Sequence, residues 1–236
     1  MKSLNKSKWI APFSLAASAL LGLTQAHAGG PVPETSVVLV RESEGGGSIK
    51  VTNTDPTPIL LMTTIENIPE DDEKLVLATP PVARVEPGET QLVRFIMTGS
   101  APIDKERLKR VTFEGIPEAS KGGNTVRMSV RQNLPMLILP KGGKQERAPW
   151  TKLTAHVVDG ELELRNPSSH VVRLDQTVNV MPGDYSVTLP KSYLLPGESV
   201  RAAAKAPLDP SQATTARIYP ATVYGYMVND HDLSIR

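Results

Sequence analysis

The sequence predicts an all-β protein made of two β-sandwich domains. Frequent turn-forming pairs such as Pro87-Gly88 and Asn166-Pro167 are typical of sandwiches rather than of alternating strands and helices. Only Ile103–Arg110 has a helical pattern, with Asp104 as its predicted N-cap. Elsewhere, short segments alternate apolar and polar residues, which places one face of a strand in a core and the other in water. These segments are Ser48–Asn53, Gln91–Phe95, Val126–Val130 and Glu161–Leu164.

Residues 1–28 are predicted to be an export signal. Three lysines precede an uncharged apolar run, Ile10–Leu23, and the small residues Ala26 and Ala28 flank His27. This order is typical of a secretory signal peptide, so we expect cleavage after Ala28. A membrane anchor is the alternative, but the run is shorter than the ~20 apolar residues that span a bilayer.

Composition argues against several kinds of site. The 236 residues include no cysteine, which excludes disulfides and thiolate chemistry. The formal net charge of +1 gives no reason to expect a nucleic-acid partner or insertion into a membrane. His156, His170 and His231 lack the close spacing of metal ligands. We therefore expect no metal and no cofactor.

A domain boundary is predicted after a very apolar strand. The run Lys141–Pro149 is polar and rich in residues that break regular structure, and Trp150 opens the second half. We expect domains at residues 29–140 and 150–236, joined by a linker at 141–149. Each would be near 100 residues, a normal size for one sandwich.

The two halves repeat one pattern. Asn53 is followed by a Pro-Gly-Glu turn at Pro87, and Asn166 is followed by the same turn at Pro196. Turn chemistry alone favours Pro-Gly at corners. The repeat therefore suggests, without requiring, that the two sandwiches are related.

The strand before the boundary begins with alternate apolar side chains. Val126, Met128 and Val130 would share one face, with polar residues between them on the other. These three side chains could face the core of their own domain, which periodicity alone favours. They could instead fill a groove on another protein.

Four motifs follow one another between Ala78 and Pro140. They are ATPPVARVEPGET from Ala78, DKERL from Asp104, GIP from Gly115 and NTVRMSVRQNLPMLILP from Asn124. In this order and spacing they resemble the periplasmic pilus chaperones of the PapD-like family.

The resemblance implies two immunoglobulin-like sandwiches with a cleft between them. It implies a periplasmic chaperone that lends a strand to unfinished pilus (fimbrial) subunits and passes them to an outer-membrane usher, without a cofactor or ATP. Pro135 would then break the strand's hydrogen bonding or mark a bulge. The side chains that fill the subunit groove would be Val126, Met128, Val130, Leu134 and Met136.

The family also holds the subunit's terminal carboxylate with a pair of basic residues. Here Pro135 stands where the lysine is expected, and Val37 stands where the arginine is expected. Arg41 and Arg131 are the nearest candidates to replace them. Both could equally be solvated strand residues.

In the family, a glutamate at the position of Glu106 helps to join the two domains. Its basic partner would fall at Leu139, which has no charge. We expect Glu106 to pair with Lys141 instead, or else to lie in solvent.

Two other classes of protein remain as alternatives. A fimbrial structural subunit or adhesin is also an exported β-sandwich, but it needs an N-terminal donor segment, and Gly29–Glu34 is short and rich in proline. A periplasmic enzyme would need a positioned nucleophile, base or metal, and the sequence offers none.

Overall fold

The computed structural model describes residues 29–99, 101–118, 128–142, 146–202, 204 and 206–236. The predicted signal peptide, residues 1–28, and Val126 lie outside this part of the chain. The regular structure of the described part is β-strand, apart from two short 3-10 helices at Glu42–Glu44 and Pro149–Lys152. None of its helices is long and apolar enough to span a membrane.

The first half contains strands β1 to β9. Along the hydrogen-bonded sheet their order is β5-β7-β3-β2-β9-β8-β4-β6, with β1 paired to β3. Their bounds are β1 Pro31–Pro33, β2 Val38–Arg41, β3 Gly46–Asn53, β4 Ile59–Glu66, β5 Val76–Thr79, β6 Val82–Val85, β7 Thr90–Met97, β8 Arg107–Pro117 and β9 Val130–Leu139.

The second half contains strands β10 to β19, which form three smaller sheets. Their bounds are β10 Thr154–Val158, β11 Glu161–Arg165, β12 Val172–Leu174, β13 Thr177–Met181, β14 Tyr185–Thr188, β15 Tyr193–Leu194, β16 Ser199–Ala202, β17 Thr215–Ile218, β18 Pro220–Ala221 and β19 His231–Ser234. The sheets have the orders β10-β11-β16, β15-β12-β18 and β14-β13-β17-β19.

Each half has its own hydrophobic core. Phe95 and Phe113 are buried in the first, and Leu162 and Leu164 are buried in the second. A third group of side chains, which we call the junction cluster, joins the two halves. It consists of Val37, Ile68, Leu108, Leu137 and Val171. The prediction of an all-β chain with two sandwiches is confirmed.

The repeated asparagine holds the same turn in both domains. The buried Asn53 side chain donates to the carbonyl of Val85 at 3.0 Å, and the Asn53 carbonyl accepts from Gly88 N–H at 2.8 Å. Asn166 donates to the carbonyl of Leu194 at 3.2 Å and accepts from Gly197 N–H at 2.8 Å. A buried amide satisfied in this way fixes the corner between two strands. The sequence repeat therefore corresponds to the same asparagine-held turn in both domains.

The predicted helix over Ile103–Arg110 is wrong. Residues up to Glu106 are irregular, and β8 begins at Arg107. An eight-residue helix has little stability of its own. As the start of β8, Arg107–Arg110 pairs with β9, and from Arg110 onward the strand also pairs with β4, which outweighs the weak helical preference.

Charged groups attach the loop before β5 to β8. Arg107 donates to both carboxylate oxygens of Asp71 at 2.6 Å, and Lys109 Nζ lies 2.8 Å from Asp71 Oδ1. Lys109 is only 2% exposed and also donates to Asn67 Oδ1 at 3.0 Å. Burial alone would raise the pKa of Asp71, but the hydrogen bonds from Arg107 and Lys109 outweigh it and lower the pKa to about 2.

We expect Asp71→Asn to lower the free energy of unfolding at pH 7 by about 1–2 kcal/mol. Because the folded pKa is depressed, this stabilisation is full above about pH 4 and is lost as the pH falls toward 2. The difference between wild type and variant should therefore shrink over that window, as measured by urea unfolding at a series of pH values. Asp72→Asn, at an adjacent exposed carboxylate, should leave the pH profile unchanged. A constant difference between wild type and Asp71→Asn from pH 7 to pH 2 would contradict this role.

Candidate functional site

One edge of β9 is open over half of its length. On one side β9 pairs with β8 from Val130 to Ile138 without interruption. On the other side β2 pairs only with Met136–Leu139. In the described part of the chain, Val130–Pro135 therefore has no strand on that side.

The edge is open because the N-terminal segment changes the strand with which it pairs. Strand β1 pairs with β3, whereas β2, five residues further on, pairs with β9. The chain thus reaches the side of β9 only at Val38. Unpaired N–H and C=O groups on such an edge are a template for another strand.

The apolar side chains of β9 are buried in the core at the C-terminal end of the strand and become more exposed toward its N-terminal end. Met136 and Ile138 are 0% exposed in the first-domain core, and Leu134 packs against that core while half-buried. Val130 is half-buried, and a Cβ added to Gly30 would lie only 2.8 Å from its Cβ. Met128, just before the strand, is 74% exposed.

The predicted groove-filling residues therefore occupy different environments. Met128 and Val130 lie at the open end, and Val126 lies outside the described residues. Met136 is enclosed by its own domain, because β2 covers that end of β9, so we assign it to the domain core. Leu134 lies between the two environments.

Pro135 neither breaks the pairing nor marks a bulge. The register with β8 is constant on both sides of it, and Pro135 lies opposite Arg110. It stands where pairing with β2 stops, and a proline is tolerated at such an edge position because it has no N–H to bond.

The two candidate anchor arginines both lie near carboxylates. Arg131 is exposed, with Glu66 at 3.5 Å and Glu114 at 4.0 Å. Arg41 lies 3.8 Å from Glu44, beside a cavity of about 450 Å³ at the junction of the two domains. Arg131 lies within the open segment of β9, whereas Arg41 is the last residue of β2.

Glu106 is buried between the domains. Its Oε1 accepts from His170 Nδ1 at 2.9 Å, and its Oε2 accepts from Val171 N–H at 2.8 Å. The expected partner, Lys141, instead donates its backbone N–H to Glu42 at 2.7 Å. The difference arises because β12 brings the segment around His170 directly over the start of β8, and burial rules out the solvated alternative.

Two residues at the domain junction were missed by the sequence prediction. Arg110 on β8 donates to the side-chain and backbone oxygens of Asn133 at 2.7 and 2.9 Å. Arg173 on β12 is half-buried, and its Nη1 is buried with no hydrogen-bond partner in the described part of the chain. Arg110 contacts a residue on the neighbouring strand, and Arg173 lies at the contact between the domains. Neither kind of contact produces a recognisable sequence motif.

Comparisons with known proteins agree with this architecture. Residues 30–144 match the family model described as "Pili and flagellar-assembly chaperone, PapD N-terminal domain". The chain is 41% identical over 203 residues to "Uncharacterized fimbrial chaperone YhcA" of Escherichia coli K12, covering 86% of this chain and 89% of that protein.

Solved structures share the fold over nearly the whole described chain. The chaperone DraB of Escherichia coli matches with a TM-score of 0.69 at 21% identity, covering 88% of this chain and 97% of that one. A chain of the Salmonella enterica SafA pilin complex with the SafB chaperone matches with a TM-score of 0.70 at 18% identity, covering 87% and 96%. The fold is thus that of two immunoglobulin-like domains.

Proposed function

Because this chain belongs to the PapD-like family of pilus-assembly chaperones, we propose that it binds fimbrial subunits by lending them β9 and delivers them to an outer-membrane usher. The family is one of chaperones rather than enzymes, and its members work in the periplasm. The observation that carries the proposal is the open Val130–Pro135 edge, continued by the exposed Met128.

An added strand has two sources of affinity at this edge. Each backbone hydrogen bond to the open side of β9 contributes about 1 kcal/mol. Each apolar side chain that becomes fully buried contributes about 1.5–3 kcal/mol. A subunit whose sandwich lacks a strand exposes the matching unpaired backbone and apolar groove, so β-strand addition satisfies both partners.

We assign the groove-filling role to Val126, Met128 and Val130. Leu134 would lie at the boundary, and Met136 would hold the strand in its own domain. Because half of β9 is fixed between β8 and β2, the donated half is already positioned for binding, which lowers the entropy cost of association.

We also propose the following domain limits and export signal. The first-domain core draws on residues from 38 to 138, and the second on residues from 150 to 233, in keeping with domains at 29–140 and 150–236 and a linker at 141–149. A signal peptide over residues 1–28, cleaved after Ala28, would place the protein in the periplasm.

Co-purification from the periplasm tests the proposal. A C-terminally tagged chain should be recovered in a one-to-one complex with a small pilin-like subunit from cells that also carry the neighbouring exported β-sandwich proteins. Heat-resistant ladders of the tagged protein itself would instead indicate a structural subunit. Recovery of the tagged protein alone would contradict the chaperone function.

A further inference from the structure

The first residue after the predicted cleavage site lies opposite a carboxylate. Strand β1 is paired antiparallel with β3, and the pairing continues one residue before β1. Thr54 N–H donates to the Gly30 carbonyl at 3.0 Å, and Gly30 N–H donates to Thr54 Oγ1 at 3.1 Å. The next two residues to face each other in this register are Gly29 and Asp55.

The backbone of Gly29 lies against the side chain of Asp55. A Cβ added to Gly29 would lie 2.8 Å from Asp55 Cα and 2.9 Å from Asp55 Oδ1. Only a glycine, which has no Cβ, allows this approach. Because the Gly29 nitrogen is bonded to the same Cα, it is held within reach of the carboxylate.

The Asp55 carboxylate has no hydrogen bond or ion pair with any described residue. Asp55 is half-buried, and its backbone N–H donates to Asn53 Oδ1 at 2.9 Å. The Asp55-Pro56 turn therefore uses the Asn53 side chain, and not the Asp55 carboxylate, as its local acceptor. A partly desolvated carboxylate without a partner is costly, and an ammonium group would stabilise it.

The segment around Gly29 also supports the start of β9. Gly30 and Pro31 are buried. A Cβ added to Gly30 would lie 2.8 Å from Val130 Cβ, and a Cβ added to Gly115 would lie 2.7 Å from Pro31 Cδ. Val130 and Gly115 are the residues at which β9 begins to pair with β8. The N-terminal segment thus packs on β9 at the end that β2 does not reach.

Cleavage after Ala28 would create an ammonium group at this place. Hydrolysis of the Ala28–Gly29 peptide bond by a signal peptidase transfers OH from water to the Ala28 carbonyl carbon and H to the Gly29 nitrogen. The neutral amide becomes an α-amino group, which takes up a further proton and is largely charged at neutral pH.

We propose that Asp55 binds the α-ammonium group of Gly29, so that removal of the signal peptide fixes β1 against the start of β9. This inference rests on the proposed cleavage after Ala28 and does not depend on the chaperone function. It therefore stands or falls separately from the capture of a subunit.

The first test is the mass of the protein purified from the periplasm after expression of the full chain. We expect a mature chain that begins at Gly29. A mature chain that begins at any other residue would overturn the proposal, because its ammonium group would not lie opposite Asp55.

The second test is a double-mutant cycle on the mature protein. One form begins at Gly29, and the other keeps Ala28, which moves the ammonium group about 3.5 Å along the chain. Asp55→Asn should lower the Tm by about 2–4 °C in the first form and by less than about 1 °C in the second. Asp72→Asn, at an exposed carboxylate, is the control and should have the same small effect in both. An equal loss for Asp55→Asn in the two forms would refute the ion pair.

The third test measures the effect on β9 by hydrogen exchange and mass spectrometry. In the form that begins at Gly29, Asp55→Asn should speed exchange in the peptide Val130–Gln132 about fivefold, because the segment that packs on Val130 is held less firmly. Exchange around Ile138, which is enclosed by β2 and β8, should not change. Unchanged exchange at Val130–Gln132 would overturn the proposed link between the N-terminus and β9.

Discussion

Met128→Asp should abolish capture of the fimbrial subunit and leave the chaperone folded. The side chain is 74% exposed and lies just before β9, so the fold does not depend on it. In the complex the aspartate would have to enter an apolar groove. The lost apolar burial and the cost of the charge together amount to about 3 kcal/mol or more, which is a hundredfold in affinity.

The neighbouring Ser129 supplies the control. It is also exposed, and its side chain would point to the opposite face of an extended strand. Ser129→Asp adds the same charge one residue away and should retain most of the binding. Affinities measured by titration of purified subunit, with Tm values for each variant, check both. Equal losses for the two variants would point to a general charge effect rather than to a side chain in the groove.

The strand pattern was predictable from sequence because alternation is a local property. The segment Ser48–Asn53 lies within β3, and Gln91–Phe95 lies within β7. The paired turns at Asn53 and Asn166 were also visible, since each needs only an amide and a nearby Pro-Gly corner.

Burial along β9 could not be predicted from sequence. Met128 and Met136 belong to the same alternating row, yet one is exposed and the other is enclosed. The difference depends on where β2 begins to pair, which is decided by the path of the chain far away in sequence. Alternation identifies the face of a strand but not the point at which a neighbouring strand stops.

The contacts at the domain junction could not be predicted from the sequence either. Glu106 was expected there only through the family resemblance, and its contact with His170 joins residues 64 positions apart. Arg173 carries no motif, and its environment follows from how the second domain rests against Val37 and β8. Such contacts follow from tertiary packing, which local pattern does not specify.

Glu106→Ala should loosen the two domains from each other. It removes the acceptor of Val171 N–H at 2.8 Å and of His170 Nδ1 at 2.9 Å. Val171 is 4% exposed, so its amide would be left buried without a partner. We expect a loss of about 2.5–6 kcal/mol from the stability of the junction, the sum of one unsatisfied buried amide and one hydrogen bond to a charged group. By calorimetry, the unfolding transition should broaden or separate into two.

The same variant should weaken subunit binding without altering β9. The open edge of β9 ends at Pro135, opposite Arg110 and beside the domain junction, so a bound subunit can contact both domains only while the junction holds them in place. Glu106→Gln keeps one oxygen for Val171 N–H and should fall between wild type and Glu106→Ala in both measurements. Glu44→Ala removes an exposed carboxylate 3.8 Å from Arg41 and should change neither. If Glu106→Ala kept a single sharp transition and full affinity, the orientation of the domains would not depend on this buried carboxylate.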